Sequence, residues 1–186
     1  FKDGYVSGIR MTMEQAPEYV YAIRELGKEY ASDIKLYVGF EAEYIPEFFK
    51  EQKAMFDRLG CDYMIMGQHF MKSEQTGPYT GTPTDDESRI REYVDTVIEG
   101  MKTGMYSYLA HPDLINYQGL DSVYEWEMTR MCKALKELNI PLEINMLGIS
   151  AGKHYPTERF WCITHDIDNT MILELDDLPM DHNCEL

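Results

Sequence analysis

Five short apolar runs, at residues 34–40, 63–66, 106–110, 140–144 and 170–175, alternate with long amphipathic stretches. Period-two or continuous apolar runs of this length read as strands, and the segments between them repeat at the helical period. Strand–helix alternation at this spacing predicts βαβ units and a parallel sheet, an α/β fold. Five strands suit either a doubly wound sheet or most of a barrel. No glycine-rich phosphate loop follows any strand, which counts against a nucleotide-binding version.

The helix boundaries are written in local signals. Thr12-Met13-Glu14-Gln15 fits a capping box and opens a helix reaching about residue 30. A second helix, from about 46 to 59, stops at Gly60. A third opens at Thr84-Asp85-Asp86-Glu87, another capping box, carries Ile90, Val94, Val97, Ile98 and Met101 on one face, and ends at Gly104. A fourth covers about 121–138, and a shorter fifth about 157–166. The 13 methionines fall mostly on helix core faces and read as packing.

A polar residue closes each strand: Glu41 after the first, His69 after the second, His111 after the third, Asn145 after the fourth and Asp176 after the fifth. Parallel strands place these C-terminal ends on one rim, where barrels and open sheets build their sites. Carboxylate and imidazole together suit zinc, iron or manganese. Each residue also has an ordinary reading: Glu41 as a loop acid, His69 as a satisfied core histidine, Asn145 as a turn cap, Asp176 as the start of a loop. Their convergence favours a shared site. Arg159 follows the fourth strand's rim loop, where it would hold a phosphate through paired hydrogen bonds or form a surface ion pair. Asp85, Asp86 and Glu87 complement a helix dipole, and His165 and His182 sit in surface-like context.

Composition narrows the function classes. Of 186 residues, 33 are acidic and 17 basic, a net charge of -16, and such a surface repels nucleic-acid backbones. No apolar run reaches the ~18 residues of a membrane span. The four cysteines have neither zinc-ribbon nor disulfide-framework spacing, which fits a reducing, cytoplasmic setting. The chain opens on Phe1 as if a loop were already in progress, which suggests a processed or incomplete chain.

Four rim segments carry a resemblance: Gly39-Phe40-Glu41-Ala42-Glu43-Tyr44-Ile45-Pro46, Ile65-Met66-Gly67-Gln68-His69-Phe70, Tyr108-Leu109-Ala110-His111-Pro112-Asp113-Leu114-Ile115 and Leu142-Glu143-Ile144-Asn145. They resemble the histidinol-phosphate phosphatases of the PHP (polymerase and histidinol phosphatase) family, from Phe1 to about Ile172. The resemblance implies a distorted (β/α)7 TIM-like barrel and a site with up to three divalent metals, zinc, manganese or iron. It implies hydrolysis of L-histidinol phosphate to L-histidinol and phosphate in histidine biosynthesis. By position, Glu41 matches a metal-bridging glutamate, His69 and His111 match histidine ligands, and Asp176 matches the aspartate of a closing Gly-x-Asp-Ala-His motif, where it would also serve as the acid for the leaving alkoxide. Arg159 matches a phosphate-binding arginine, and Asn145 lies among the substrate-facing rim residues.

Two departures stand out. The family's opening His-x-His strand and a further Asp-His pair precede the point where Phe1 aligns. The closing motif reads Glu174-Leu175-Asp176-Asp177-Leu178, with glutamate for glycine and leucine for histidine. The expectation is one PHP-like barrel domain over 1–186, lacking its first strand or strands and diverged after about 172, with weak metal binding and slow turnover or none. Open sheet edges in such a chain invite a homo-oligomer. Two rivals are a PHP-type phosphoesterase acting on a different small phosphate ester and a catalytically inactive binding or scaffold protein.

Overall fold

The structure, a computed structural model, describes residues 7–167 and 172–173. Helix α1 (Gln15–Glu29) leads into strand β1 (Gly39–Ala42), followed by α2 (Phe49–Leu59), β2 (Tyr63–Met66), α3 (Glu87–Lys102) and β3 (Tyr108–Leu109). A 3-10 turn (Pro112–Leu114) precedes α4 (Asp121–Glu137), β4 (Leu142–Glu143), α5 (Leu147–Ser150), α6 (Glu158–Asp166) and β5 (Ile172–Leu173).

The five strands form one parallel sheet in the order β1-β2-β3-β4-β5. Spatial order therefore follows chain order, without the reversal that makes the crevice of a doubly wound sheet. The sheet does not close into a barrel among the described residues: β1 and β5 each pair on one side only.

The core lies between the sheet and the helices that cross over it. Tyr93, Val94, Val97 and Met101 of α3 meet Tyr124, Met128, Met131 and Leu135 of α4, all 1% exposed or less. Met66, Leu109 and Leu142, on three successive strands, are fully buried beneath them. Methionine fills irregular gaps well because it is unbranched and polarisable, and six methionines are buried among the described residues. On the β1 side Phe40 stacks on Phe56 of α2, with ring centroids 5.6 Å apart, and meets Tyr19 of α1 edge-on at 5.1 Å.

Most local signals appear where expected. Thr12 and Gln15 form the reciprocal capping box: Thr12 N–H donates to Gln15 Oε1 at 2.9 Å, and Gln15 N–H to Thr12 Oγ1 at 3.4 Å. Gly60 ends α2 in the left-handed region at φ 64, which costs glycine nothing. Thr157 caps α6 by accepting from Phe160 N–H at 3.2 Å.

Two expectations need correction. The cap of α3 is Asp86, whose carboxylate accepts from Ser88 N–H at 2.8 Å, while the Thr84 hydroxyl is spent on Asp86 N–H. The first strand is Gly39–Ala42 and not 34–40, so Glu41 sits within it. Residues 34–38 lie at the sheet margin without a strand partner, with Ile34 and Tyr37 more than half exposed. Val38 N–H donates to the Asp62 carboxylate at 2.6 Å. No helix among the described residues is long and apolar enough to cross a membrane.

Candidate metal centre

Parallel pairing sets Glu41 beside Ile65 and Met66 beside Leu109. That register carries the residues following β2 and β3 to the same end of the sheet as Glu41. There His69 Nε2 lies 3.3 Å and His111 Nε2 lies 3.1 Å from Glu41 Oε1, and the two imidazole centroids are 4.8 Å apart. One ligand atom from each of the three residues falls within 4.8 Å of the others.

Burial is graded across the group. The Glu41 carboxylate is 44% exposed, the His69 ring 32% and the His111 ring 11%, so the cluster has one open side. Gly67 makes the space. A Cβ at that position would lie 2.0 Å from Glu41 Oε1, so the carboxylate occupies the volume any other residue would fill.

The electrostatics suit ligation. The hydrogen bond with His111 holds the Glu41 carboxyl below the usual glutamate range, against the opposing effect of burial. Burial pushes the His69 pKa down, reinforced by His111 and Arg10 and opposed by Glu41. A carboxylate and a neutral imidazole are the forms that coordinate a cation.

The His111 backbone is unusual, at φ 32 and ψ 58 in the left-handed region. A non-glycine residue persists there only when its surroundings hold it, at a cost of about 1–3 kcal/mol. Its holders are visible. Glu143 Oε2 accepts from His111 N–H at 2.8 Å, and Tyr93 Oη–H donates to Pro112 O at 2.9 Å. Asp113, 2% exposed, accepts from the Tyr124 hydroxyl and from Thr157 N–H, tying the turn after His111 to α4 and α6.

The other expected site residues fare differently. Asn145 Nδ2 donates to Glu143 Oε2 at 3.2 Å, and its Oδ1 accepts from Gly148 N–H at 3.1 Å. It caps the turn into α5 and touches the group holding His111, not the cluster itself. The Arg159 guanidinium pairs with Asp121 at 2.9 Å, donates to Tyr117 O and lies 3.5 Å over the Tyr124 ring. None of these partners belongs to the cluster. Asp176 and His182 lie outside the described residues.

Three further charged residues, not among the expected site residues, stand here. Glu143 holds His111, as described. Glu43, 3% exposed, lies 3.7 Å from His69 Nδ1. Arg10 bridges Glu43 and Glu74, 2.8 Å from each. Its charge lowers both Glu41 and His69, which places it within electrostatic reach of the cluster.

Residues 10–146 match the PHP domain. The chain belongs to the PHP domain family. All three clustered residues fall within the matched stretch, and Arg159 falls beyond it. A protein of Deinococcus radiodurans described as a probable histidinol-phosphatase is 28% identical over 114 residues, covering 56% of this chain and 42% of that protein. Among solved structures, a histidinol phosphate phosphatase from Lactococcus lactis aligns with a TM-score of 0.56 at 21% identity, over 77% of this chain and 58% of that one. That crystal structure is a complex with zinc, L-histidinol and phosphate. The PHP chain described here thus spans about half the length of the relatives it matches.

Proposed function

We propose that this PHP chain belongs to a metal-dependent phosphatase that hydrolyses L-histidinol phosphate to L-histidinol and phosphate, a step of histidine biosynthesis. The observation that carries the reading is the approach of Glu41, His69 and His111 to within 4.8 Å at one end of a parallel sheet. Two imidazoles and a carboxylate around an open side fit a divalent ion such as zinc, manganese or iron, with a position left for water or substrate. The buried His111 Nδ1 has no hydrogen-bond partner among the described residues. The relatives named histidinol-phosphatase support the substrate.

When bound, such an ion polarises a phosphoryl oxygen and lowers the pKa of a bound water toward neutrality. The chain's own residues prepare the place. Glu41 stays ionised and His69 neutral near pH 7, for the reasons given above. Arg10 stands near the cluster with its guanidinium engaged by Glu43 and Glu74. The Tyr155 ring lies 6.2 Å from that of His111. Asp176 enters this reading from the sequence alone, as a further ligand and as the acid for the leaving alkoxide. In the same reading the five-stranded sheet is part of the distorted (β/α)7 barrel, within one domain over residues 1–186.

The test is phosphate release from L-histidinol phosphate by the purified chain, with and without added zinc or manganese. Metal-dependent release that prefers this ester over other monoesters is the expected result. Equal release from unrelated monoesters would replace the substrate. A chain that binds neither metal would overturn the site.

A further inference from the structure

The pairing of β3 with β4 ends after one register pair, Leu109 with Leu142, where Leu109 N–H donates to Pro141 O at 3.1 Å. Bonds in a parallel ladder are evenly spaced, so a continued strand would carry the next amide facing β4, that of His111, to the main-chain carbonyl of Glu143. The side chain of the same residue takes it instead: Glu143 Oε2 accepts from His111 N–H at 2.8 Å. A carboxylate reaches further from its own backbone than a carbonyl does. The amide therefore stays bonded while the chain at His111 leaves the strand path, at φ 32 and ψ 58, into the 3-10 turn of Pro112–Leu114.

That exit decides where the imidazole goes, because the Cα–Cβ direction follows the backbone. His111 Nδ1 has no hydrogen-bond partner among the described residues, while Nε2 lies 3.1 Å from Glu41 Oε1. With no bond at Nδ1 to turn it, the ring takes its placement from the main chain. His111 is buried, so water is a poor substitute for the acceptor of its amide. Glu143 is itself held. Asn145 Nδ2 donates to the same Oε2 at 3.2 Å, and Asn145 Oδ1 accepts from Gly148 N–H in α5 at 3.1 Å.

We propose that Glu143 is the positioning residue for His111: its carboxylate stands in for the main-chain carbonyl at the end of the β3–β4 ladder, holds the His111 amide and so aims the imidazole at Glu41 and His69, with Asn145 fixing that carboxylate. Its bearing on function rests on the reading that Glu41, His69 and His111 hold a divalent ion.

Substitutions at 143 test this, since glutamine keeps an acceptor oxygen and leucine removes it. In metal-free protein, amide exchange read by NMR is expected to be at least about tenfold faster at His111 in Glu143→Leu than in wild type, and close to wild type in Glu143→Gln. The amide of Ala110, which donates to Met66 O at 2.8 Å, should exchange alike in all three, which separates a local effect from a loosened sheet. Zinc affinity, measured by chelator competition, is expected to fall about 10- to 100-fold in Glu143→Leu and no more than about threefold in Glu143→Gln. A glutamine variant as weak as the leucine one would mean that the charge of Glu143 acts and not its acceptor oxygen, and overturns the proposal. Wild-type zinc affinity or unchanged His111 exchange in Glu143→Leu overturns it as well. Should Glu143→Leu fail to fold, wild type and Glu143→Gln decide: a His111 amide exchanging as fast as an unbonded one overturns the proposal. Should wild type bind no zinc, the metal reading falls, while exchange at His111 still judges whether Glu143 holds it.

Discussion

The Glu41 carboxylate stands where a side chain on residue 67 would be: a Cβ on Gly67 would lie 2.0 Å from Glu41 Oε1. The obstructing atoms are the end of a flexible, half-exposed side chain, so Gly67→Ala displaces the carboxylate without breaking the sheet. The substitution is expected to weaken zinc binding about 10- to 100-fold, the range found when groups supporting a metal ligand are disturbed. The thermal midpoint of the metal-free protein should change little. Isothermal titration with zinc, paired with a thermal melt, checks both; unchanged zinc affinity would contradict the placement of Glu41.

His111 joins two roles, ligand and left-handed backbone, which substitution can separate. His111→Ala and His111→Gly both remove the imidazole and should abolish the zinc-induced rise in stability, about 2.7 kcal/mol at a hundredfold excess over Kd for a protein that binds. Only glycine relieves the strain at φ 32. The glycine variant is therefore expected to be about 1–2 kcal/mol more stable than the alanine variant in urea denaturation without metal. Equal stabilities would mean that the backbone at 111 is not strained.

Tyr124 donates its hydroxyl to the buried Asp113 carboxylate, which also takes Thr157 N–H. Tyr124→Phe leaves that carboxylate short of a donor in a site where water does not replace it. The expected loss is about 1–3 kcal/mol of stability, read from the urea midpoint. A loss well below this range would show that Asp113 finds another donor.

How far the sequence discloses this site depends on what each residue's role requires. Glu41, His69 and His111 are legible because strand ends in a parallel sheet share a rim, and because their flanking residues carry the family likeness. β2 is legible to the residue, as a short apolar run between punctuating residues. The roles of Glu43, Glu143 and Arg10 are not, although the two glutamates also stand at strand ends, since those roles come from which chain segments become neighbours: Arg10 meets Glu43 across 33 positions and Glu143 meets His111 across 32. Asn145 and Arg159 show the converse. Their types suit the chemistry, but nearer partners engage them, a turn amide for one and Asp121 with the Tyr124 ring for the other. The apolar run at 34–40 misleads because β1 pairs on one side only among the described residues, and only the portion facing β2 finds a ladder.

The cysteines give a test of the core that is independent of metal. Cys132 on α4 is fully buried, and burial pushes its thiol up to about 12, so almost no thiolate exists at pH 8. Burial also raises Cys61, less deeply placed, whereas Cys162 on α6 is exposed. The thiolate is the reactive form, and access is required as well. Among the three described cysteines, alkylation of the native chain at about pH 8, followed by peptide mapping, should therefore modify Cys162 first, Cys61 more slowly and Cys132 only after denaturant is added. Early labelling of Cys132 in the native protein would mean that α4 does not pack on α3 and the sheet as described. Zinc should leave the labelling of Cys132 unchanged, because that thiol lies in the helix-packed core and belongs to no ligand group.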